Sequence, residues 1–165
     1  MVVWLIGISG AGKTTLGNKV KNYYDNKKIS SFILDGDLVR DFYDNDLGFS
    51  KDDRVANIKR ILLSAYVLEK NGVIPIVCNI SPFEFLRDFA RDKFDDYHEI
   101  YLKKDLNVAK SNDVKNIYKE HITKTDIVGL DLKFEEPKNS DLVLEVDEED
   151  ANDSFRKIKK YLEGK

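Results

Sequence analysis

Only one cysteine, Cys78, occurs in the 165 residues, which excludes an internal disulfide and any metal site built from several cysteines, and fits a reducing compartment. A cytoplasmic location is expected on that ground, and Cys78 itself reads as strand packing rather than a reactive thiol. An excess of charge of one sign is lacking too. With 27 basic and 30 acidic residues the net charge is −3, so bulk attraction to nucleic acid or to an anionic membrane is not expected, whereas small anionic ligands stay open. No apolar run is long enough to span a bilayer. The apolar start has no basic n-region or cleavage pattern and reads as strand rather than signal peptide. Histidine is scarce, and His98 and His121 have no partner pattern. With no repeat, low-complexity segment or linker, the length suits a single domain over residues 1–165, long enough to bury a sheet under helices.

What is present begins at once. The run VVWLIGISGAGKTTL is an apolar strand emptying into Gly7, Gly10, Gly12, Lys13 and Thr14, the P-loop spacing GxxxxGK[ST]. A phosphate chain needs several N–H donors close together, and glycines let the backbone curl around it with no Cβ in the way. Lys13 adds a point charge, Thr14 offers a hydroxyl to Mg²⁺, and the following helix points its positive end at the anion.

The remaining pattern alternates. Thr15 to about Lys27 reads as a helix and SFILD at 31–35 as a strand, followed by a loop-rich stretch, GDLVRDFYDNDLGFS. Ser50 and Asp53 form a capping box for a long helix that buries Val55, Ile58, Leu62, Ala65 and Leu68 and stops at Asn71 and Gly72. VIPIVCNI at 73–80 reads as a buried strand whose beginning Pro75 marks. Ser81, Pro82 and Glu84 are expected as N-cap, first residue and third residue of the next helix. HEIYL at 98–102 and LVLEV at 142–146 supply strands, and a last helix carries Phe155, Ile158 and Leu162 on one face. Residues 103–138 loosen into polar, lysine-rich sequence, as a mobile lid or long loop would. The fold class is α/β, a P-loop NTPase fold: a mostly parallel sheet with helices on both faces and ligands at the carboxyl ends of the strands.

Asp35 and Asp37 bracket Gly36 at a strand end, where this layout brings them beside the phosphate loop. One carboxylate there can orient Mg²⁺ and its waters and the other can take a proton from an attacking hydroxyl. The alternative is that both merely make a turn and cap the next helix.

LDGDLVR at 34–40 with DLGFSKDDRVANIKR at 46–60 strongly resembles the adenylylsulfate kinases, whose segments read LDGDNVR and DLGFSxxDRxxNIRR. ISPF at 80–83, DVKNIY at 113–118 and GLDLKFEEPKNSDLVLEV at 129–146 are similar to further motifs of that family, so the likeness covers nearly the whole chain. It implies a phosphotransferase that uses MgATP to phosphorylate the ribose 3′-hydroxyl of a nucleotide. Carried over by position, Gly7, Ser9, Gly10, Ala11, Gly12, Lys13, Thr14 and Thr15 would hold ATP, and Lys13, Asp35 and Asp37 would serve the transfer. Thr14 and Asp35 would hold Mg²⁺, partly through water. Asp37, Arg40, Arg54, Asn57 and the Ile80 and Ser81 backbone would hold the acceptor, with Phe49 stacked on its base. An arginine fork suits phosphate or sulfate oxygens, although Arg54 also reads as a residue of a solvated helix. Lys115 would face the acceptor or ATP from the lid, or lie on a solvated surface. Ser81 matches a serine described in the family as accepting phosphate, but direct transfer from ATP requires no phosphoserine, and helix capping already accounts for it. Family members are often dimers, so a homodimer is compatible.

The chain departs from the family where the base should be held. A phenylalanine that usually precedes the motif matching Gly129 to Asp131 is absent; Ile127 and Val128 stand there, an apolar wall in place of an aromatic jaw. Asn112, Asn116, Ile117 and the KEHI at 119–122 also depart from the usual residues. These changes keep a related acceptor, cytidine diphosphoramidate, as an alternative with the same 3′-hydroxyl chemistry. A nucleotide-binding module without catalysis is a third reading, opposed by the intact Lys13, Thr14, Asp35, Asp37, Arg40, Arg54 and Asn57.

Overall fold

The first strand explains the architecture. In β1 (Val2–Ile6) every residue is buried: Val2, Trp4 and Ile6 enter one core while Val3 and Leu5 enter another. Side chains alternate across a strand, so an unbroken apolar run means a sheet covered on both faces. The computed structural model describes residues 1–111 and 127–165.

After β1 come α1 (Lys13–Asn26), β2 (Ser31–Asp35), α2 (Gly36–Phe42), α3 (Lys51–Lys70), β3 (Ile74–Cys78), α4 (Glu84–Lys93), β4 (Tyr97–Lys103), α5 (Leu106–Ser111), β5 (Leu142–Glu145) and α6 (Ala151–Glu163). The strands form one sheet in the order β2-β3-β1-β4-β5, every pairing parallel. β1 thus lies at the centre between β3 and β4, where the winding reverses. Such a switch point opens a crevice beyond the carboxyl ends of the strands.

One face of the sheet packs on α2, α3 and α4 through Val39, Ile58, Ile61, Leu62, Ala65, Leu86 and Ala90. The other packs on α1 and α6 through Leu16, Val20, Tyr24, Ile158 and Leu162. α1 lies so close to β3 that a Cβ on Gly17 would stand 2.4 Å from Cys78 Sγ. Cys78 is packed there with its thiol pushed up to about 12, first by burial and then by the Asp35 carboxylate. It is the strand-packing residue expected.

Ser50 caps α3 as read, accepting from the Asp53 N–H while its hydroxyl donates to the Asp53 carboxylate, and the helix ends before a left-handed Gly72. Pro75 pairs opposite Phe32 as the second residue of β3. Two expectations are corrected. The stretch after Asp35 is not wholly loop: α2 forms, because the Asp35 carboxylate accepts the Asp37 N–H at its start. Ser81 does not cap α4, whose N-cap is Phe83 with no side-chain cap; Glu135 supplies the acceptor instead, its carboxylate taking the Glu84 N–H at 2.5 Å. Residues 127–138, in the segment expected as a lid or long loop, form no helix or strand beyond an isolated Val128–Leu132 bridge, and they are anchored to the core. Leu132 and Phe134 pack against the core, and Glu135 N–H bonds the Pro82 carbonyl. The earlier part of the expected lid contains α5, and Lys115, with the rest of residues 112–126, lies outside the described residues.

Candidate active site at the carboxyl ends of the strands

The loop leaving β1 turns on glycines that no other residue replaces cheaply. Gly10 and Gly12 have φ of +77° and +88°, where a side chain is strained, and a Cβ on Gly7 would meet the Leu102 carbonyl oxygen at 2.5 Å. Gly12 is the N-cap of α1, and no acidic residue stands in that helix's first turn to compete with an anion. Ser9, Gly10, Ala11 and Thr15 lie along the same turn. Lys13 folds back over it, its ammonium donating to the Gly7 and Ile8 carbonyls at 2.9 and 2.8 Å.

Strand β2 delivers the acidic pair to this loop. The Thr14 hydroxyl donates to Asp35 Oδ2 at 2.8 Å, and Asp35 Oδ1 accepts the Asp37 N–H at 2.9 Å. Asp35 therefore both caps α2 and faces the phosphate loop, so the cap does not exclude a role at the phosphates. Thr14 Oγ1 and Asp35 Oδ2 are adjacent hard oxygen donors. One carboxylate and one hydroxyl, the rest of the shell filled by water and phosphate oxygens, suit Mg²⁺, which keeps several of its waters.

Across the crevice, the segment between α2 and α3 is held by arginines. Arg40 is buried and donates to the Leu47 and Gly48 carbonyls at 2.9 and 2.7 Å. Burial pulls its guanidinium below its usual value, opposed by the Asp37, Asp53 and Asp46 carboxylates. Arg54 donates to the Phe49 carbonyl at 2.9 Å. Arg60 pairs bidentately with Asp46, both contacts 2.7 Å, and stacks on Tyr43. That pairing holds the Asp46 carboxyl below the usual carboxylate range. The result is a presented aromatic. Phe49 is 53% exposed, with the Arg40 and Arg54 guanidiniums 4.6 and 5.4 Å from its ring.

Asn57 closes the floor. It is 2% exposed; its amide reaches the Gly36 carbonyl at 3.4 Å, while its Oδ1 has no partner. A buried acceptor without a donor suits a site whose ligand brings one. Ile80 and Ser81 follow β3 on the same side, and Ser81 directs its hydroxyl, N–H and carbonyl to Trp4, Asn79 and Arg87. Ile127, expected as an apolar wall, heads the segment at 127–138. It is 6% exposed and folded into a turn, its carbonyl accepting the Leu130, Asp131 and Leu132 N–H groups and its own N–H bonding Asp131.

Reading the sequence missed Trp4, Asn79 and Arg87. A lone tryptophan in a buried strand is the available signal for the first, because its indole N–H must find an acceptor. The other two gave none: Asn79 accepts from Ser81 in an irregular turn, and Arg87 reaches the Ser81 and Glu135 carbonyls.

Fold and loop together define a P-loop kinase. Aquifex aeolicus shikimate kinase matches at a TM-score of 0.61 over 99% of this chain and 97% of that one, at 16% identity, a likeness of fold alone. The adenylylsulphate kinase family matches residues 1–145, and the adenylyl-sulfate kinase of Halothermothrix orenii is 38% identical over 167 aligned positions, 100% of this chain and 90% of that protein. The APS (adenylylsulfate) kinase of Mycobacterium tuberculosis, solved in complex with AMPPNP and APS, superposes at a TM-score of 0.91 with 32% identity, covering 98% and 96% of the two chains. The chain belongs to the adenylylsulphate kinase family, a family of phosphotransferases. Among the described residues, no helix is long and apolar enough to cross a membrane.

Proposed function

We propose that this protein transfers the γ-phosphate of ATP to the ribose 3′-hydroxyl of adenylylsulfate. The observation that carries the reading is the meeting of Thr14 and Asp35 at 2.8 Å beside the glycine loop, with Asp37 next in line across Gly36. It is supported by the family match and by the relative whose structure holds AMPPNP and APS.

Phosphoryl transfer is mainly positioning and neutralisation of charge. The backbone of Gly7 to Thr15 cradles the phosphates, and Lys13 moves from the Gly7 and Ile8 carbonyls to the transferring group. Thr14 and Asp35 would hold Mg²⁺, which when bound would supply neutralisation of charge on the phosphates. Asp37, exposed at the start of α2, takes the proton of the attacking hydroxyl. Phe49 receives the adenine face, Arg54 and Arg40 lie beside it for the sulfate and phosphate oxygens, and Asn57 offers its unpartnered Oδ1. Lys115, outside the described residues, is assigned toward the acceptor or ATP on the family likeness alone. The work is done by a single domain with a small-molecule acceptor. The named relatives speak for adenylylsulfate, and none of them for cytidine diphosphoramidate.

The test is ADP release from MgATP with adenylylsulfate, cytidine diphosphoramidate, AMP or CMP as acceptor. Turnover is expected with adenylylsulfate, and turnover confined to a cytidine compound overturns the reading.

A further inference from the structure

Ser81 stands in a conformation that serine rarely adopts, and everything around it explains why. It is 1% exposed with φ of +48°, left-handed and not glycine, directly beyond the end of β3. Non-glycine residues persist there only when their surroundings over-determine them. The indole N–H of Trp4, itself 1% exposed in β1, donates to Ser81 Oγ at 2.9 Å. That hydroxyl donates onward to Asn79 Oδ1 at 3.2 Å, and the Ser81 N–H reaches the same oxygen at 2.9 Å. Buried Arg87 donates to the Ser81 carbonyl at 2.8 Å and, through its other nitrogen, to the Glu135 carbonyl at 2.7 Å. Every polar group of Ser81 is thus engaged inside the protein.

The far side of this turn touches the acidic pair. Asn79 is tied to β1 by its N–H on the Leu5 carbonyl at 3.2 Å. Its Nδ2 lies 2.6 Å from where a Cβ on Gly36 would stand. Gly36 is the residue between Asp35 and Asp37. A shift of the Asn79 side chain therefore presses on, or releases, the peptide that carries both carboxylates.

We propose that Trp4 is a positioning residue of the transfer site: through the Ser81 hydroxyl it holds Asn79 against Gly36 and so fixes Asp35 and Asp37 relative to the phosphate loop. The Ser81 hydroxyl is a strut in this arrangement and not a phosphate acceptor. This extends the function proposed above and rests on it for its kinetic consequence, while its structural consequence stands without any substrate.

The experiment uses the full chain with W4F, which keeps an aromatic ring but lacks the N–H, with S81A, and with the double variant. Amide hydrogen exchange is read by NMR without ligand. The Asp37 and Ser81 amides are expected to exchange about tenfold faster in W4F, the scale of losing one buried hydrogen bond, while the amides of β1 and β4 keep their rates. Unchanged Asp37 exchange in W4F overturns the proposal whatever the enzyme's substrate. In the kinetic arm, kcat is expected to fall about tenfold in W4F and S81A, with the KM values for ATP and adenylylsulfate nearly constant. The double variant should match S81A, because both changes break the same bond. Additive losses, or kcat and both KM values shifting together with the melting temperature, contradict positioning. A phosphate adduct on Ser81 after incubation with ATP contradicts the strut. Absence of adenylylsulfate turnover by the unmodified protein removes the proposed function and leaves the exchange result to decide the strut.

Discussion

Replacing Asp35 with asparagine separates the two tasks that this carboxylate performs. Its Oδ1 caps α2 by accepting the Asp37 N–H, and its Oδ2 faces the Thr14 hydroxyl at 2.8 Å. Asparagine retains an oxygen for the cap, and Asn and Asp are equivalent N-caps, so the stability change is expected to stay under about 1 kcal/mol. The Thr14 hydroxyl rotates to accept from the new amide. What is lost is the negative charge and one hard oxygen at the Mg²⁺ position. Removing one preorganised electrostatic group of this kind costs about 3 kcal/mol in the transition state or more, a fall in kcat of at least about 100-fold. The Mg²⁺ concentration for half-maximal rate should rise as well. Asp35→Ala, by contrast, removes the cap too and costs about 1 kcal/mol of stability besides. Thermal denaturation and ADP release at saturating ATP, measured on both variants, read the two effects apart. If D35N turns over within threefold of the unmodified protein, Asp35 is a cap alone and the metal assignment fails.

Other consequences are more local. Phe49→Ala should raise the acceptor KM by about tenfold or more, the worth of a base–aromatic stack, with Phe49→Trp near the unmodified value; steady-state kinetics in adenylylsulfate decides it. Gly17→Ala drives a Cβ to within 2.4 Å of Cys78 Sγ and should cost about 1–3 kcal/mol in denaturant unfolding, whereas an unchanged midpoint means that α1 does not approach β3 so closely. The Cys78 thiol has a folded-state value of about 12 against 9.0 in the unfolded chain. Protonated and buried, it contributes stability that is complete below pH 9 and lost as the pH rises toward 12. Denaturant midpoints should therefore fall across that range, less steeply in Cys78→Ala, and the native thiol should resist alkylation at neutral pH.

Much of this fold can be read along the chain because the relevant signals are local. The unbroken apolar run of β1, the capping of α3 by Ser50 and the single apolar face of α6 each declare an element within a few residues. The glycine loop and the acidic pair are equally visible, being short motifs whose spacing is itself the chemistry. The errors share a different cause. Ser81, Pro82 and Glu84 have the spacing of a capping box, yet tertiary partners override it: Trp4 takes the hydroxyl and Glu135 takes the Glu84 N–H. Arg87 has no partner that the sequence reveals, and only the structure brings the Ser81 and Glu135 carbonyls to its guanidinium. Long-range polar contacts of this kind leave no periodic mark in a sequence.

The central claim is that the phosphoryl group passes to a ribose 3′-oxygen of adenylylsulfate. Its most direct measurement sets adenylylsulfate beside its 3′-deoxy analogue in the presence of MgATP, following radiolabelled γ-phosphate into product. Label is predicted to appear on the 3′-oxygen of adenylylsulfate, while the deoxy analogue accepts none and competes with the true acceptor. Equal labelling of both compounds, or of neither, contradicts the account.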